Sequence, residues 1–210
     1  MMGFPPPRLL LISAIGLFAS LGFTSCGSTP CGNDTRHKMI VSVRDQKMLL
    51  VQDGSPVKSY KISTSKFGIG DRPGSNCTPL GRLQVAKKIG DRAPLGSVFK
   101  SRRPTGEVIK PNAPGRDPIV TRIIWLTGKE PHNCNAYRRT IYIHGTPEEH
   151  RLGAPASYGC IRMSSRDVAD LYNRIGYGAD VFVIRGSIQG KKSSQSSANN
   201  GKITSRQGRG

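Results

Sequence analysis

Three short strand-like runs near the start of the chain, joined by very short turns, constrain its fold more than any other feature. They occupy residues 39–44, 47–52 and 56–62 and have the length and apolar content of β-strands. Connections this short leave no room for a crossover, so neighbouring runs must pair antiparallel. Asp53-Gly54 in the second turn supplies residues that tolerate the positive φ of tight hairpins. The sequence therefore predicts a three-stranded β-meander.

Further strand-like runs follow, separated by long loops that are rich in glycine and proline. They occupy residues 83–86, 120–126, 140–144 and 181–184. With 25 Gly and 15 Pro among 210 residues, the composition favours turns over helices. The length fits one domain with tails. We therefore expect a single, loop-rich, mainly β domain.

Residues 166–175 have helical rather than strand periodicity. Their apolar side chains recur at the spacing of one buried helix face. These side chains are Val168, Leu171, Tyr172 and Ile175. Ser164 or Ser165 suits the N-cap, and Gly176 suits the exit. We expect this helix to pack its apolar face against the sheet.

Residues 1–25 have the pattern of an export signal. Arg8 precedes a mostly apolar stretch, residues 9–23, that is short for a membrane span. Small residues before Cys26 resemble a bacterial lipoprotein cleavage site, at which Cys26 becomes the lipidated first residue. Simple cleavage and an uncleaved anchor are the alternatives. All three predict an exported protein of the cell envelope or periplasm, and lipidation would anchor it to a membrane.

The opposite end, residues 187–210, has no acidic residue and many Ser, Gly, Asn and Gln, so we expect a basic disordered tail. The whole chain has 32 Lys+Arg against 13 Asp+Glu. Without Arg8 and the five cations of the tail, the rest still has a net charge of +13. Such a charge favours anionic surroundings. Export and the lack of a recognition motif argue against nucleic acid as a partner.

Reactive side chains concentrate between positions 142 and 163. His144 ends a predicted strand, and Cys160 lies 16 residues later in a tight Ser-Tyr-Gly-Cys turn. A thiol with a pKa of about 8.5 needs an adjacent base to become a nucleophile at neutral pH. His144 is a candidate for that base, and Gly159 lets the turn expose the sulfur and backbone amides. The pattern predicts a cysteine nucleophile, with a chance cysteine–histidine pair as the alternative.

These residues resemble the L,D-transpeptidases of bacterial cell walls, which share the YkuD-type catalytic domain. The signature of that family is His-Gly followed, after a loop, by Ser-His-Gly-Cys-Ile/Val-Arg. His144-Gly145 and residues 157–162 (Ser-Tyr-Gly-Cys-Ile-Arg) align with it. Tyr158 departs from the family, which usually has a second histidine at that position.

The resemblance extends beyond the signature. Residues 78–83 (Thr-Pro-Leu-Gly-Arg-Leu) match a Thr-Pro-x-Gly-x-Phe element of the family, with Leu83 in place of Phe. Residues 125–128 (Trp-Leu-Thr-Gly), with Glu130 and Asn133, also look like the same family. The matching part covers about residues 38–186.

The resemblance implies a mainly β fold, a mixed β-sandwich or barrel-like domain with one or two short helices. Together with the export signal and the basic tail, it divides the chain into four segments. These are a signal peptide, residues 1–25; a linker, residues 26–37, that begins at Cys26; an L,D-transpeptidase catalytic domain, residues 38–186; and the basic tail, residues 187–210. It implies no cofactor.

It also implies a reaction. Cys160 would attack the carbonyl of the third residue of a peptidoglycan stem tetrapeptide, a diamino acid, form a thioester and release D-alanine. His144 would take the thiol proton, return one to the leaving amine and deprotonate the acceptor. An amine of another stem would give a 3-3 crosslink, a lysine of an envelope protein would be anchored, and water would give carboxypeptidase trimming.

The remaining site residues receive supporting roles. Backbone amides of Tyr158, Gly159 and Cys160 would hold the oxyanion. Our hypothesis is that Tyr158 lines the donor pocket and alters substrate preference. A Tyr158→His variant with unchanged donor selectivity would count against it. Arg162 would bind a substrate carboxylate or, as we favour, brace the loop, and Ser157 would organise the turn. Two further positions, Gly145 and Tyr142, are expected to contact substrate.

Three alternatives stay open. The first is a non-catalytic peptidoglycan-binding lipoprotein with the same fold, although a thiol beside an imidazole favours an enzyme. The second is a disulfide between Cys77 and Cys134, against two unpaired thiols, with Cys31 left over in either case. The third is a zinc site whose ligand spacings match no usual pattern, so we expect no metal. Its ligands would be His132, Cys134, His144, His150 and Cys160.

Overall fold

The part of the chain that the structure describes, residues 2–3 and 32–188 of a computed structural model, contains ten strands and one α-helix. The strands are β1 (His37–Ser42), β2 (Lys47–Gln52), β3 (Ser55–Ser63), β4 (Gly81–Ile89), β5 (Ser97–Lys100), β6 (Arg103–Val108), β7 (Ile119–Gly128), β8 (Tyr142–Gly145), β9 (Ile161–Met163) and β10 (Asp180–Ile184). The helix α1 is Ser165–Arg174, and two 3-10 turns occupy Pro131–Asn133 and Glu149–Arg151. Apart from residues 2–3, the predicted signal peptide lies outside the described residues, as do Cys26, Cys31 and the tail from residue 189 onward.

The predicted meander is confirmed in β1, β2 and β3, which pair antiparallel in chain order. The turn between β2 and β3 has φ values of 50° at Asp53 and 82° at Gly54, as the dipeptide predicts. One face of the meander is buried. Its fully buried large side chains are Met39, Met48, Leu50, Tyr60 and Ile62. Each contributes about 1.5–3 kcal/mol by leaving water.

The sheet closes on itself. Its order is β4-β10-β1-β2-β3-β9-β8-β7, and β4 also pairs antiparallel with β7, so the first and last strands of this series are neighbours. Closure leaves these eight strands without a free edge and encloses one core. The β5–β6 hairpin lies outside the ring and joins it through pairing of β5 with β7. The mainly β, barrel-like fold that the resemblance implies is therefore confirmed.

Helix α1 covers part of the core. The hydroxyl of Ser164 accepts a hydrogen bond from the backbone N–H of Asp167 at 3.1 Å, so Ser164 rather than Ser165 is the N-cap. Val168, Leu171 and Tyr172 are buried, as the periodicity predicts. The helix packs against β7 and β8.

Of the two alternatives for Cys77 and Cys134, a disulfide or two unpaired thiols, the structure has two free thiols. The Cys77 thiol donates to the carbonyl of Phe67 at 3.2 Å instead. The neighbouring loops are held together by the buried ion pair of Asp71 with Arg139 at 2.8 Å, which takes the place of a covalent link. Among residues 2–3 and 32–188, no helix is long and apolar enough to span a membrane.

Candidate active site

Strands β8 and β9 bring the predicted nucleophile and base to one cavity. They run parallel, with His144 of β8 opposite Arg162 of β9, and Cys160 immediately precedes β9. His144 and Cys160 both line a cavity of about 160 Å³. The other lining residues are Asp117, Ile119, Ser157, Tyr158 and Arg162.

The hydrogen bond of His144 fixes its tautomer. Its Nδ1 lies 2.9 Å from the backbone carbonyl oxygen of Gly145. A carbonyl only accepts, so Nδ1 carries the proton and Nε2 keeps its lone pair. Burial lowers the pKa of His144 to about 4, partly opposed by the bond to Gly145. The imidazole is therefore neutral at neutral pH and is able to accept a proton at Nε2.

Cys160 is half-buried, and burial raises the pKa of its thiol to about 11. Two features oppose that rise: the backbone N–H of Tyr142, which points at Sγ from 3.4 Å, and the positive charge of Arg139. The sulfur also lies 3.5 Å from the carbonyl oxygen of Thr140. The resting site thus holds a neutral thiol and a neutral imidazole in one cavity, and a nucleophilic attack by this thiol would need a base to remove its proton.

Hydrogen bonds hold the turn that carries Cys160. The Ser157 hydroxyl donates to the carbonyl of Cys160 at 2.5 Å and accepts from the N–H of Gly159 at 3.3 Å. Thr78 donates to the carbonyl of Gly159 at 3.0 Å. Gly159 has a φ of 117°, and a Cβ there would lie 3.2 Å from the carbonyl oxygen of Cys77. Ser157 therefore organises the turn, and position 159 requires glycine.

Gly145 and Tyr142 have packing roles next to the cavity. A Cβ at position 145 would lie 2.6 Å from the carbonyl oxygen of Val120, so only glycine allows the two strands to approach this closely. The ring of Tyr142 is buried and packs edge-on against Trp125, with ring centroids 5.4 Å apart. Neither residue is among those that line the cavity.

Arg162 is neutralised within the protein. Its buried guanidinium forms ion pairs with Asp117 and, at 3.2 Å, with Glu148. Asp117 also accepts a hydrogen bond from Thr146. These bonds join β9 to two loops, which favours the bracing role over substrate binding.

Arg139 holds the loop that contains Cys77, next to the turn of Cys160. It is not among the site residues predicted from the sequence. Its buried guanidinium donates to the carbonyls of Gly70 at 3.0 Å and Cys77 at 2.7 Å and pairs with Asp71. It also stabilises the thiolate form of Cys160 electrostatically. Asp117 and Glu148 were missed as well. All three lie next to other charged residues in polar segments, and no local pattern distinguishes them.

Tyr158 forms the exposed rim of the cavity, with 60% of its surface accessible. Lys66 donates to its hydroxyl at 3.0 Å. Within the described ranges, His, Cys, Asp and Glu side chains form no group of three or more that would hold a metal.

Comparisons with known proteins identify the family of the chain. A family model of the L,D-transpeptidase catalytic domain, YkuD, matches residues 36–184. The comparison with curated proteins gave no match.

Three solved structures are among those similar to the chain. An L,D-transpeptidase from Mycobacterium smegmatis is 17% identical with a TM-score of 0.46, and the match covers 71% of this chain and 58% of that one. One from Xylanimonas cellulosilytica is 19% identical with a TM-score of 0.47, covering 74% and 63%. L,D-transpeptidase 3 from Mycobacterium tuberculosis, in complex with a faropenem-derived adduct, is 20% identical with a TM-score of 0.46, covering 70% and 60%. The chain thus spans less than two thirds of each. By its family match, the chain belongs to the YkuD family of L,D-transpeptidase catalytic domains.

Proposed function

We propose that the chain is a peptidoglycan L,D-transpeptidase with Cys160 as nucleophile and His144 as general base. The observation that carries this proposal is the hydrogen bond between Nδ1 of His144 and the carbonyl of Gly145, in the cavity that Cys160 also lines. It leaves the Nε2 lone pair free to take the thiol proton. Family membership supports the same reaction class.

In the acylation step, Nε2 of His144 takes the proton of Cys160 as the sulfur attacks the carbonyl of the third stem residue. The tetrahedral oxyanion is held by the backbone amides of Tyr158 and Cys160, because the N–H of Gly159 already donates to the Ser157 hydroxyl. The C–N bond to D-alanine then breaks, and the imidazolium gives its proton to the leaving amine. The products are a thioester on Cys160 and free D-alanine.

In the transfer step, His144 removes a proton from an acceptor amine, which attacks the thioester and restores the thiol. A stem amine would give a 3-3 crosslink, and a protein lysine would give covalent anchoring. Water in place of an amine would give carboxypeptidase trimming. The choice of acceptor is set by which nucleophile reaches the thioester.

The proposed setting is the bacterial cell envelope. The signal at residues 1–25 and the lipidation site at Cys26 would place the domain outside the cytoplasm, anchored to a membrane, with peptidoglycan stems as partners. The net charge of +13 outside Arg8 and the tail suits a substrate mesh that carries carboxylates.

One observation favours the second candidate, a peptidoglycan-binding lipoprotein without activity. Burial raises the pKa of Cys160, which disfavours the reactive thiolate. Such a protein would bind stem peptides without forming a thioester.

D-alanine release from a tetrapeptide-stem muropeptide separates the two candidates. We expect release by the wild type, none by Cys160→Ala, and a loss of about a hundredfold or more in His144→Gln, because the base is removed. Cys134→Ser changes an exposed thiol and serves as the matched control that keeps activity. No release by folded, reduced wild type would favour the binding protein.

A further inference from the structure

Three exposed side chains, Lys66, Phe67 and Tyr158, form a cluster beside the candidate nucleophile. The Nζ atom of Lys66 lies 4.4 Å from the ring centroid of Tyr158 and 5.2 Å from that of Phe67. The two ring centroids are 5.3 Å apart. The backbone N–H of Lys66 donates to the carbonyl of Ser157 at 3.1 Å, which ties this segment to the turn of Cys160. An ammonium group is thus held in place at the cavity rim.

The direction of the Lys66–Tyr158 hydrogen bond leaves free donors on both side chains. Lys66 donates to the hydroxyl of Tyr158 at 3.0 Å, so the phenol acts as acceptor and keeps its own O–H for another partner. The ammonium retains two further N–H groups. The hydrogen bond from Lys66, together with its positive charge, also lowers the pKa of Tyr158, which makes the phenol a stronger donor. Adjacent O–H and N–H donors suit the two oxygens of a carboxylate.

Within residues 32–188, no carboxylate neutralises the charge of Lys66. Two other cations near the rim are neutralised by carboxylates. Arg151 pairs with Glu148 at 3.1 Å, and Arg162 pairs with Asp117 and Glu148. None of the ion pairs among residues 32–188 includes Lys66. An anionic ligand in the cavity would therefore meet Lys66 as an available positive charge.

We propose that Lys66 and Tyr158 form a carboxylate-binding subsite that holds a carboxylate of the donor peptide at the cavity rim. The identity of the peptide rests on the proposed function. The subsite itself rests on the two free donors, the unneutralised ammonium and the position of Tyr158 in the cavity wall. It makes Lys66 and Tyr158 specificity-determining residues, whereas Arg162 is occupied by its own carboxylates.

Binding measured without turnover tests the subsite. The protein is the full chain with Cys160→Ala, and the probes are a stem tetrapeptide, its C-terminal amide, and a form with only its internal carboxylates amidated. Lys66→Met is expected to weaken tetrapeptide binding about tenfold in titration calorimetry, as loss of one charge-assisted hydrogen bond at an exposed site predicts. Tyr158→Phe should weaken it in the same direction, and Lys66→Arg should retain most of the affinity.

Two matched variants control for general effects. Lys38→Met removes an exposed positive charge on β1, away from the cavity, and Tyr177→Phe removes a hydroxyl from another exposed ring. Both should leave all three affinities unchanged.

The amidated peptides identify the carboxylate. The peptide in which the recognised carboxylate is amidated should bind with equal affinity to the Cys160→Ala protein with and without Lys66→Met. No effect of Lys66→Met, or an equal loss for all three peptides, would overturn the subsite. D-alanine release by wild-type protein is measured in parallel. Release without a Lys66 effect contradicts only the subsite, and a carboxylate-specific Lys66 effect without release contradicts only the proposed enzyme.

Discussion

His144 and Cys160 are a pair whose environment keeps both side chains neutral. Burial lowers the pKa of the imidazole to about 4 and raises that of the thiol to about 11. Neither group is charged at neutral pH, so the pair differs from a preformed thiolate–imidazolium ion pair. In the proposed mechanism, Cys160 becomes nucleophilic only when His144 takes its proton during attack.

The first prediction concerns stability in mild acid. The pKa of His144 falls from its usual 6.5 to about 4 on folding. Between these values the unfolded chain binds a proton that the folded state does not, so stability falls as pH falls through this window, by at most about 3 kcal/mol. The measurement is urea unfolding at several pH values for wild type and His144→Gln. The wild type should lose more stability in acid than the variant, and equal losses would contradict the assignment.

The second prediction concerns alkylation of Cys160. Because its pKa is raised to about 11, the thiolate fraction is small at neutral pH and grows with pH. The rate of iodoacetamide labelling at this residue should rise about tenfold per pH unit between about pH 7 and 10. Mass spectrometry of the labelled peptide follows Cys160 separately from Cys77 and Cys134. A rate that is already constant at neutral pH would indicate a preformed ion pair instead.

The sequence identified some of the site and could not identify the rest. Cys160 and His144 stood out because nucleophile and base occur in a recognisable motif. Asp117 and Arg139 did not, because their ion-pair partners lie 45 and 68 residues away along the chain, and Glu148 did not, because its contact with Arg162 forms only in the folded structure. The candidate nucleophile and base were therefore predictable from local sequence, whereas the residues that hold their strands and turn in place were not.

At the scale of elements, β7 has a shift in pairing register opposite β8, the strand that contains His144. The pairing register of β7 with β8 skips from Val120 to Ile123 across the consecutive residues Gly145 and His144. Within the skipped segment, Thr121 has a φ of 69°, which is unusual for a β-branched residue. Its hydroxyl donates to Ser165 at 2.9 Å and accepts from the N–H of Gly96 at 2.8 Å. This buried hydroxyl links the bulge to helix α1 and to the loop before β5.

The third prediction tests that link. Thr121→Val keeps the shape of the side chain but leaves the buried N–H of Gly96 without its acceptor, so it should destabilise the fold by about 1–3 kcal/mol. Thr121→Ser keeps the hydroxyl and is the matched comparison. Urea unfolding of both variants gives the free-energy difference. A Val variant as stable as the Ser variant would show that the hydroxyl bonds contribute nothing.

Elements with strong local patterns were predictable, and those that depend on partners were not. The meander and α1 follow from tight turns and from helical periodicity. Strand β9 has three residues and exists through pairing with β8 and β3. Strand β6 is exposed throughout and contains Pro104 and Gly106, so its sequence looks like a loop. Hydrogen bonds from β5 make it a strand.

At the scale of the whole molecule, barrel closure depends on pairings between distant parts of the chain. Strand β10 pairs parallel with β1 and antiparallel with β4, and β4 pairs with β7. Local sequence predicts strands but not these partners, so the barrel-like fold was expected only through the resemblance to a family. Closure sets the frame in which β8 and β9 run side by side and bring His144 and Cys160 to one cavity.

The fourth prediction is the central one: that the folded protein forms an acyl-enzyme on Cys160. The measurement is intact-protein mass spectrometry of wild type and Cys160→Ala after incubation with a tetrapeptide-stem muropeptide or a carbapenem, a class of drug that typically acylates this family. We predict a covalent adduct on the wild type alone, located at Cys160, with D-alanine released from the muropeptide. An adduct on Cys160→Ala, or no adduct on folded and reduced wild type, would contradict the account.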